Sequence, residues 1–290
     1  MAAPLGLLLL YQRPTRREAL IAGLLLAWAA WGVIGAGDGF ARFEGAWVCL
    51  LAGGVAIALL LRPPGEFPLV TGGLVAVAVA ALAGAALVGW TAFSWGELRW
   101  LAEKHYGEQV RLILGVLAER LAPGGEASAT MDALEQTADA AVQTVSTLLP
   151  ALVLLQSLAA LALAWTLYRV LAREPEGASL PSLREFRFND HLVWGIVLAA
   201  VALVWPGREA LRLVGGNLAT FFGGLYVLRG LGVVAAMAAS TGLSGPLMGL
   251  LAAFVTVFLL PLALLGALAF GVSDTWLDWR RRLAQRAKDV

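Results

Sequence analysis

Long apolar runs, separated by short clusters of charged residues, constrain this chain more than any other feature of its sequence. A membrane-spanning helix needs roughly 20 apolar residues, because the hydrocarbon core of a bilayer is about 30 Å thick and a helix rises about 1.5 Å per residue. The runs are continuously apolar rather than alternating, which indicates helices and not the strands of a barrel. Hydropathy predicts seven spans, at residues 19–36, 46–61, 69–93, 148–171, 191–205, 217–239 and 247–271.

The composition supports the same fold class and excludes several kinds of function. Hydrophobic residues make up 60% of the 290 residues and charged residues only 14%, whereas a soluble domain has about a quarter charged residues. The net charge of +1 gives no reason to expect nucleic-acid binding. With one cysteine, Cys49, the chain can form neither an intramolecular disulfide nor a cysteine-rich metal site. We therefore predict an all-α, polytopic transmembrane helix bundle.

The sequence lacks the signatures of an enzyme. His105 and His191 have no neighbours at the spacing of metal ligands, and no pair of carboxylates lies inside a predicted span. There is no phosphate-binding loop. The serine of the sequence GLSG at 242–245 lacks the strand and helix that position a nucleophilic serine. We predict that the protein is not an enzyme and holds no cofactor or metal.

Basic residues near the two ends of the chain set the predicted orientation. Arg13, Arg16 and Arg17 precede the first span, which places the N-terminus in the cytoplasm and is the wrong order for a cleaved signal peptide. A second basic cluster at 280–288 places the C-terminus on the same side. Seven spans would place the two ends of the chain on opposite sides of the membrane. We therefore favour an even number of spans, six or eight. Segment 208–239 explains the discrepancy, as one long tilted span or as a half-helix followed by a short span.

The segment between the third and fourth spans is predicted to be an amphipathic helical hairpin outside the cytoplasm. Apolar residues recur there at helical spacing, on either side of a turn at 123–125. The hairpin is either a cap that rests on the membrane or a lid or partner-docking element. The chain is thus divided into N-terminal transmembrane helices at 1–93, the hairpin at 94–147, C-terminal transmembrane helices at 148–272 and a cytoplasmic interfacial helix at 273–290.

A basic and aromatic block closes the chain. Ser273 or Asp274 is predicted to cap a helix that begins at Thr275. The tryptophans and arginines of this helix suit the membrane interface and anionic phospholipid head groups, and a docking site for a soluble partner is the alternative. Phe186 and Phe188 are predicted to lie at the cytoplasmic surface. The predicted interfacial residues are Trp276, Trp279, Arg280, Arg281 and Arg282.

Arg229 is the most informative single residue, since it falls near the middle of the sixth predicted span. A charge there costs about 3 kcal/mol on insertion scales, and such a residue usually faces the protein interior with a partner. No acidic residue lies deep within any predicted span, so carbonyl groups, water or an anionic ligand would have to serve. Either the helix breaks at Gly223–Gly224 and Arg229 reaches an interface, or Arg229, Tyr226 and Asn217 form a ligand-binding site.

Three blocks in the C-terminal half resemble the YybS-like family of uncharacterised bacterial membrane proteins. The blocks are EFRFNDHLVWG at 185–195, GNL and LYVLRGLGV within 216–233, and GVSDTWLDWRRR at 271–282. The N-terminal half agrees only in hydropathy. The resemblance implies a multi-pass protein of the bacterial cytoplasmic (inner) membrane. It also implies a distant similarity to the S-components, which are the substrate-binding subunits of energy-coupling-factor transporters.

The sequence leaves two functions open. The first is a substrate-binding or transport subunit for a small or lipid-like ligand, with its site at Arg229, Tyr226 and Asn217. The second is a non-transporting scaffold or accessory subunit, which the scarcity of acids inside the spans favours because ion coupling commonly uses them. The expected partners are the lipid bilayer and a membrane or cytoplasmic protein, and not nucleic acid.

Overall fold

The computed structural model describes residues 1–11, 14–35, 37–61, 69–90, 94–121, 128–240 and 258–286. These residues form helices and turns with no strand among them, which confirms the all-α fold class. Two short 3₁₀ turns, Leu183–Glu185 and Asp190–Leu192, precede α8. The α-helices are α1 (Ala2–Tyr11), α2 (Arg16–Ile34), α3 (Gly39–Leu61), α4 (Leu69–Trp90), α5 (Trp95–Leu121), α6 (Ser128–Thr147), α7 (Leu149–Leu171), α8 (Val193–Val204), α9 (Glu209–Ser240), α10 (Leu260–Leu277) and α11 (Trp279–Arg286).

Six of the described helices are long and apolar enough to cross a membrane, namely α2, α3, α4, α7, α9 and α10. Helix α8 has only 12 residues and rises about 18 Å, so the span predicted at 191–205 is wrong as a full helical crossing. The helix ends at Val204, one residue before the predicted end of the span, and the chain then turns at Gly207, which has a φ of 77°. Part of the seventh predicted span, 247–257, lies outside the described residues. Six helices agree with the predicted range of six to eight, and the orientation of the termini stays a prediction.

Contacts divide the chain into two compact units, Met1–Ala178 and Ser179–Val290. Helix α7 therefore packs with the N-terminal helices, although its place in the sequence groups it with the C-terminal ones. In the N-terminal unit, α1 packs against α2, α3 and α7. Helices α3 and α4 approach so closely that a Cβ atom at Gly54 would lie 2.2 Å from the carbonyl oxygen of Ala76. Tight backbone contact of this kind is how helices associate in membranes.

The predicted hairpin segment contains the two helices α5 and α6, which pack against each other. Only the first half of α5 is buried: Leu98 and Ala102 form a small core with Phe40 and Leu149. Farther along α5, the three apolar side chains of Leu112, Ile113 and Val116 are exposed. The predicted turn at 123–125 lies outside the described residues, and the side of the membrane on which the hairpin sits stays a prediction.

A buried glutamate stabilises the start of α2. Thr15 and Glu18 form a capping box, in which the Thr15 hydroxyl accepts from the Glu18 amide and the Glu18 carboxylate accepts from the Thr15 amide at 2.7 Å. The other oxygen of Glu18 accepts from the Arg173 amide at 2.7 Å, just beyond the end of α7. The Glu18 carboxylate thus has neutral donors on both oxygens, and it ties α2 to the end of α7.

The C-terminal unit is built around α9, which packs against α8 and α10. This helix runs through Gly223 and Gly224, so the predicted break at these residues is wrong. It crosses α10 at Gly230 and Gly271. A Cβ atom at Gly230 would lie 1.7 Å from the Ala267 carbonyl oxygen, and one at Gly271 would lie 1.9 Å from the Tyr226 carbonyl oxygen. The two backbones are therefore in direct contact, as only glycine allows.

Helix α10 continues past the point where the sequence predicted a new helix. It includes Ser273, Asp274 and Thr275 and ends at Leu277, so the predicted start of a capped helix at Thr275 is wrong. The chain turns instead at Asp278, whose φ of 44° is in the left-handed region. Helix α11 then begins at Trp279. Asp274 does not cap a helix because it pairs with arginine side chains inside the unit.

Candidate functional site

Arg229 lies at the centre of a buried group of charges in the C-terminal unit. Its side chain is 3% exposed. Its Nε donates to Asp274 Oδ2 at 3.0 Å, and its Nη1 donates to Asp190 Oδ1 at 2.7 Å. The prediction that no buried acid balances Arg229 is wrong, because α10 extends six residues beyond its predicted end and carries Asp274 into contact with α9. We call Asp190, Arg229, Asp274 and Arg280 the arginine–aspartate cluster.

Aromatic side chains form one wall of this cluster. The Phe188 ring packs edge-on against Tyr226, with 5.0 Å between the ring centroids. The guanidinium carbon of Arg229 lies 5.4 Å from the centroid of Phe188, which is a cation–π distance. Phe188 is buried within the C-terminal unit, and its predicted position at the cytoplasmic surface stays a prediction. The ring provides an apolar face that shields the Arg229 charge and strengthens its pairing with the carboxylates.

Arg280 is the second arginine of the cluster, and its side chain is also largely buried. Its Nη2 lies 3.3 Å from Asp274 Oδ2 and donates to the Arg229 carbonyl oxygen at 3.2 Å. Its Nη1 donates to the carbonyl oxygens of Arg184 and Phe186, at 3.0 and 2.9 Å. Burial lowers the pKa of Arg280 from its ordinary value, an effect that Asp274 opposes, and arginine stays charged throughout. The residue joins α11 to α9, α10 and the segment before α8.

The charges of this region are balanced. Besides the cluster, Arg187 and Asp278 form an ion pair in which both side chains are partly exposed. The arginine–aspartate cluster and the Arg187–Asp278 pair together contain three arginines and three aspartates, which pair with one another. A balanced set of paired charges is the condition under which ionisable groups are tolerated inside a membrane protein.

Several polar atoms around the cluster are buried without a partner among the residues that the structure describes. They are Asp274 Oδ1, Arg280 Nε, the Tyr226 hydroxyl and the Thr275 hydroxyl, four of the six such side-chain atoms found in the described chain. The Tyr226 and Thr275 hydroxyls face each other, but without a well-formed hydrogen bond. Native proteins leave few buried polar atoms unpaired, and each of them calls for a specific explanation. Their concentration at one place marks this region as the candidate site.

The structure brings together only part of the predicted site. Tyr226 and Arg229 are both buried in the cluster. Asn217 lies twelve residues earlier on α9, about 18 Å along the helix axis, and its amide donates to the Leu213 carbonyl oxygen of its own helix. Asn217 therefore lies outside the cluster.

The predicted interfacial residues also separate into two groups. Trp276, Arg281 and Arg282 are exposed, as contact with lipid requires. Arg280 points into the protein, and the Trp279 indole donates to the Ser273 hydroxyl at 3.0 Å. Of the four consecutive residues 279–282 in α11, the first two thus contact the protein and the last two are exposed, as expected for the two faces of one helical turn.

Sequence reasoning missed Asp190, Asp274, Arg280 and Phe188 as members of the site. The usable signal was the order of the three sequence blocks at 185–195, 216–233 and 271–282, since each block contributes residues to the cluster. Single-residue arguments about depth in the membrane could not find these residues, because all four lie just outside the predicted spans. Among the residues that the structure places, no three His, Cys, Asp or Glu side chains are arranged to hold a metal ion.

Comparison with known proteins assigns the chain to a family. A family model described as "Predicted membrane protein (DUF2232)" matches residues 1–275. The chain belongs to this family. The match includes the N-terminal half, where the sequence blocks gave no specific resemblance. We found no curated protein and no solved structure that matches the chain.

Proposed function

We propose that the protein is a substrate-binding subunit of a membrane transport system and that a small polar ligand binds at the arginine–aspartate cluster. The observation that carries this proposal is the group of four unpartnered buried atoms around Asp274. Leaving a buried donor or acceptor unpaired costs about 1–3 kcal/mol, and more for a charged group. A ligand, or water held for it, that pairs with the Asp274, Tyr226 and Thr275 oxygens removes this cost at three of the four atoms.

The location of the cluster supports the same function. Ionisable residues inside membrane helices commonly mark a substrate or ion pathway. Asp190 is the exposed member of the cluster, with 62% of its side chain accessible, while Asp274 is completely buried. The charges therefore lead from the surface of the C-terminal unit to its interior, which is the arrangement that ligand entry requires.

The proposal includes a cellular setting and a partner. The resemblance of the sequence blocks to the YybS-like family suggests the bacterial cytoplasmic membrane, with both termini in the cytoplasm. The distant similarity of that family to energy-coupling-factor S-components suggests the role of a binding subunit. An S-component-like protein would work with other subunits, which would supply any ATP hydrolysis.

Native mass spectrometry of the protein, gently extracted from its own membrane, tests the proposal. The informative variants are Tyr226→Phe and Thr275→Val, since each removes one unpartnered hydroxyl and keeps the shape of the side chain. We expect the wild type to retain a small molecule whose occupancy falls in both variants. Tyr106→Phe is the matched control, because Tyr106 lies in the N-terminal unit and should leave occupancy unchanged. Retention of only water and bulk lipid by the wild type would refute the proposal.

A scaffold or accessory subunit is the second candidate, and a separate observation favours it. Leu112, Ile113 and Val116 on α5 are 73%, 65% and 53% exposed, and α5 is not among the helices apolar enough to span a membrane. An exposed apolar patch on such a helix is typical of a protein-binding surface. Replacing all three residues by serine should remove a co-purifying protein under this function and change nothing under the first. Native mass spectra of the wild-type protein show whether a protein partner is bound.

A further inference from the structure

We infer that Arg280 occupies a cation-binding site lined by oxygen atoms, and that α11 is a tethered occupant which a ligand bearing a guanidinium or ammonium group displaces. The inference rests on the proposed function, because it names the charge class of the ligand and a means of regulating the same cluster. It treats the basic helix as part of the binding mechanism, and not only as a membrane contact.

The contacts of Arg280 define the site. Its two terminal nitrogens contact four oxygen atoms: the carbonyl oxygens of Arg184, Phe186 and Arg229, and one carboxylate oxygen of Asp274. These oxygens belong to three separate segments of the unit, so the site exists independently of α11. The Nε of Arg280 has no partner among the described residues. The site therefore fits the two terminal nitrogens of a guanidinium group. The Nε, which links this group to the rest of the side chain, makes no hydrogen bond with the described residues.

Charge decides which ligands can replace Arg280. Without its guanidinium group, the cluster retains two carboxylates, Asp190 and Asp274, and a single cation, Arg229. The vacated site then has a net charge of −1 next to three carbonyl oxygens. A monovalent cation with several N–H donors restores both the charge balance and the hydrogen bonds. An anionic ligand would face two carboxylates and is excluded by the same argument.

Apart from Arg280, the described contacts of α11 are its packing against α9 and those of Trp279, whose ring lies 6.4 Å from that of Phe270. Helix α11 is joined to α10 through Asp278, a single residue in the left-handed conformation. The Arg187–Asp278 pair is partly exposed, and the Trp279 indole makes one hydrogen bond to Ser273. A helix of eight residues is not stable by itself. Arg280 supplies four of the described polar contacts of α11, so a competing cation would weaken the attachment of the helix.

Chemical rescue of the full-length Arg280→Ala variant tests the inference. We expect this variant to melt several degrees below the wild type in the same detergent. Guanidinium chloride at low millimolar concentration should restore part of this loss in a saturable manner, at constant ionic strength. Urea has the same shape without the charge and should restore nothing. Arg281→Ala changes the adjacent, exposed arginine, and it should neither lower the melting temperature nor respond to guanidinium.

Hydrogen exchange of the wild-type protein gives an independent readout, which also serves if Arg280→Ala does not fold. We expect low millimolar guanidinium, but not urea, to accelerate amide exchange in residues 279–286. Faster exchange or saturable rescue supports the inference. If guanidinium acts no differently from urea in either measurement, the inference is wrong. In that case a small molecule retained at Tyr226 and Thr275 in native mass spectra would still support the proposed function, so the two failures are distinguishable.

Discussion

Among the residues that the structure describes, each unit buries one carboxylate side chain, and the two carboxylates are paired differently. Glu18 in the N-terminal unit accepts hydrogen bonds from the Thr15 amide, the Thr15 hydroxyl and the Arg173 amide, each at 2.7 Å. Asp274 in the C-terminal unit faces the guanidinium groups of Arg229 and Arg280 through one oxygen, while its other oxygen has no partner among the described residues. Both side chains are buried, but only one has its hydrogen-bonding capacity filled.

The two carboxylates show that burial of a charge is by itself a poor indicator of function. Glu18 is explained completely by local structure, since it closes a capping box and holds the end of α7. Asp274 contacts arginines from two other helices through Oδ2, while its Oδ1 has no hydrogen-bond donor among the described residues. The residual hydrogen-bonding capacity, and not the charge, is what separates a candidate binding site from a structural contact.

The largest effect is expected from breaking the ion pairs of the C-terminal unit. Arg229→Ala removes one of the two guanidinium groups that contact the buried Asp274 carboxylate and leaves only that of Arg280. Removing one partner of a buried ion pair costs about 3–5 kcal/mol. We expect a melting temperature in detergent that is lower by roughly ten degrees, or failure to accumulate in the membrane.

Arg212→Ala is the matched control for this prediction. Arg212 lies on the same helix and is exposed, so its removal should change stability by less than about 0.5 kcal/mol. If Arg229→Ala and Arg212→Ala unfold at the same temperature, the buried charges contribute little, and the contrast between the two units disappears.

A slightly smaller effect is expected at the crossing of α9 and α10. Gly230→Ala places a methyl group within 1.7 Å of a backbone carbonyl oxygen, so the two helices must move apart. Such overpacking costs about 1–3 kcal/mol, and more where a backbone has to shift. Gly223→Ala is the control, because a Cβ atom there meets nothing within 4 Å. Thermal unfolding should rank Gly230→Ala far below Gly223→Ala, and equal melting temperatures would contradict the backbone contact.

The fold was largely predictable because hydrophobic length alone identifies membrane helices. The prediction failed where a different force set the end of an element. Helix α10 continues through Asp274 because arginines from α9 and α11 neutralise this residue. The error concerns a polar residue near a helix end. Hydropathy treats such residues as the edge of the membrane, whereas pairing between segments can place them inside the protein.

The candidate site was predictable only in its central residue. A charge in a long apolar run points to Arg229 without any structural knowledge. Its partners Asp190 and Asp274 are separated from it by 39 and 45 residues, and a single sequence gives no information about which distant segments meet. Asn217 was wrongly grouped with Arg229 because both lie on one predicted span, although a helix places them far apart along its axis.

A moderate effect is expected when the carboxylate of the N-terminal unit is changed. Glu18→Gln keeps the size of the side chain but turns an amide NH₂ group toward a backbone or hydroxyl donor, since the carboxylate used both oxygens. We expect a loss of about 2 kcal/mol in unfolding free energy. The native mass spectrum should show the same bound small molecule as the wild type. Loss of that molecule in Glu18→Gln would mean that Glu18 also affects ligand binding and is not a purely structural residue.

The smallest and most discriminating effect is expected from two tyrosines, one in each unit. The Tyr168 hydroxyl accepts a hydrogen bond from the Glu176 amide at 3.1 Å, so Tyr168→Phe should cost about 1 kcal/mol. The Tyr226 hydroxyl is buried without a well-formed partner among the described residues. Tyr226→Phe should therefore leave the ligand-free protein unchanged or stabilise it by up to about 1 kcal/mol.

The sign of the Tyr226→Phe effect should depend on whether the ligand is present. Thermal unfolding in one detergent, before and after exhaustive washing, measures this dependence. Protein that retains its ligand should lose stability on Tyr226→Phe, because the ligand loses a hydrogen bond, while washed protein should not. Tyr168→Phe should cost the same in both preparations. If washing leaves both variants unaffected and both are destabilised equally, the Tyr226 hydroxyl has a partner within the protein. The C-terminal unit would then be as completely paired as the N-terminal one.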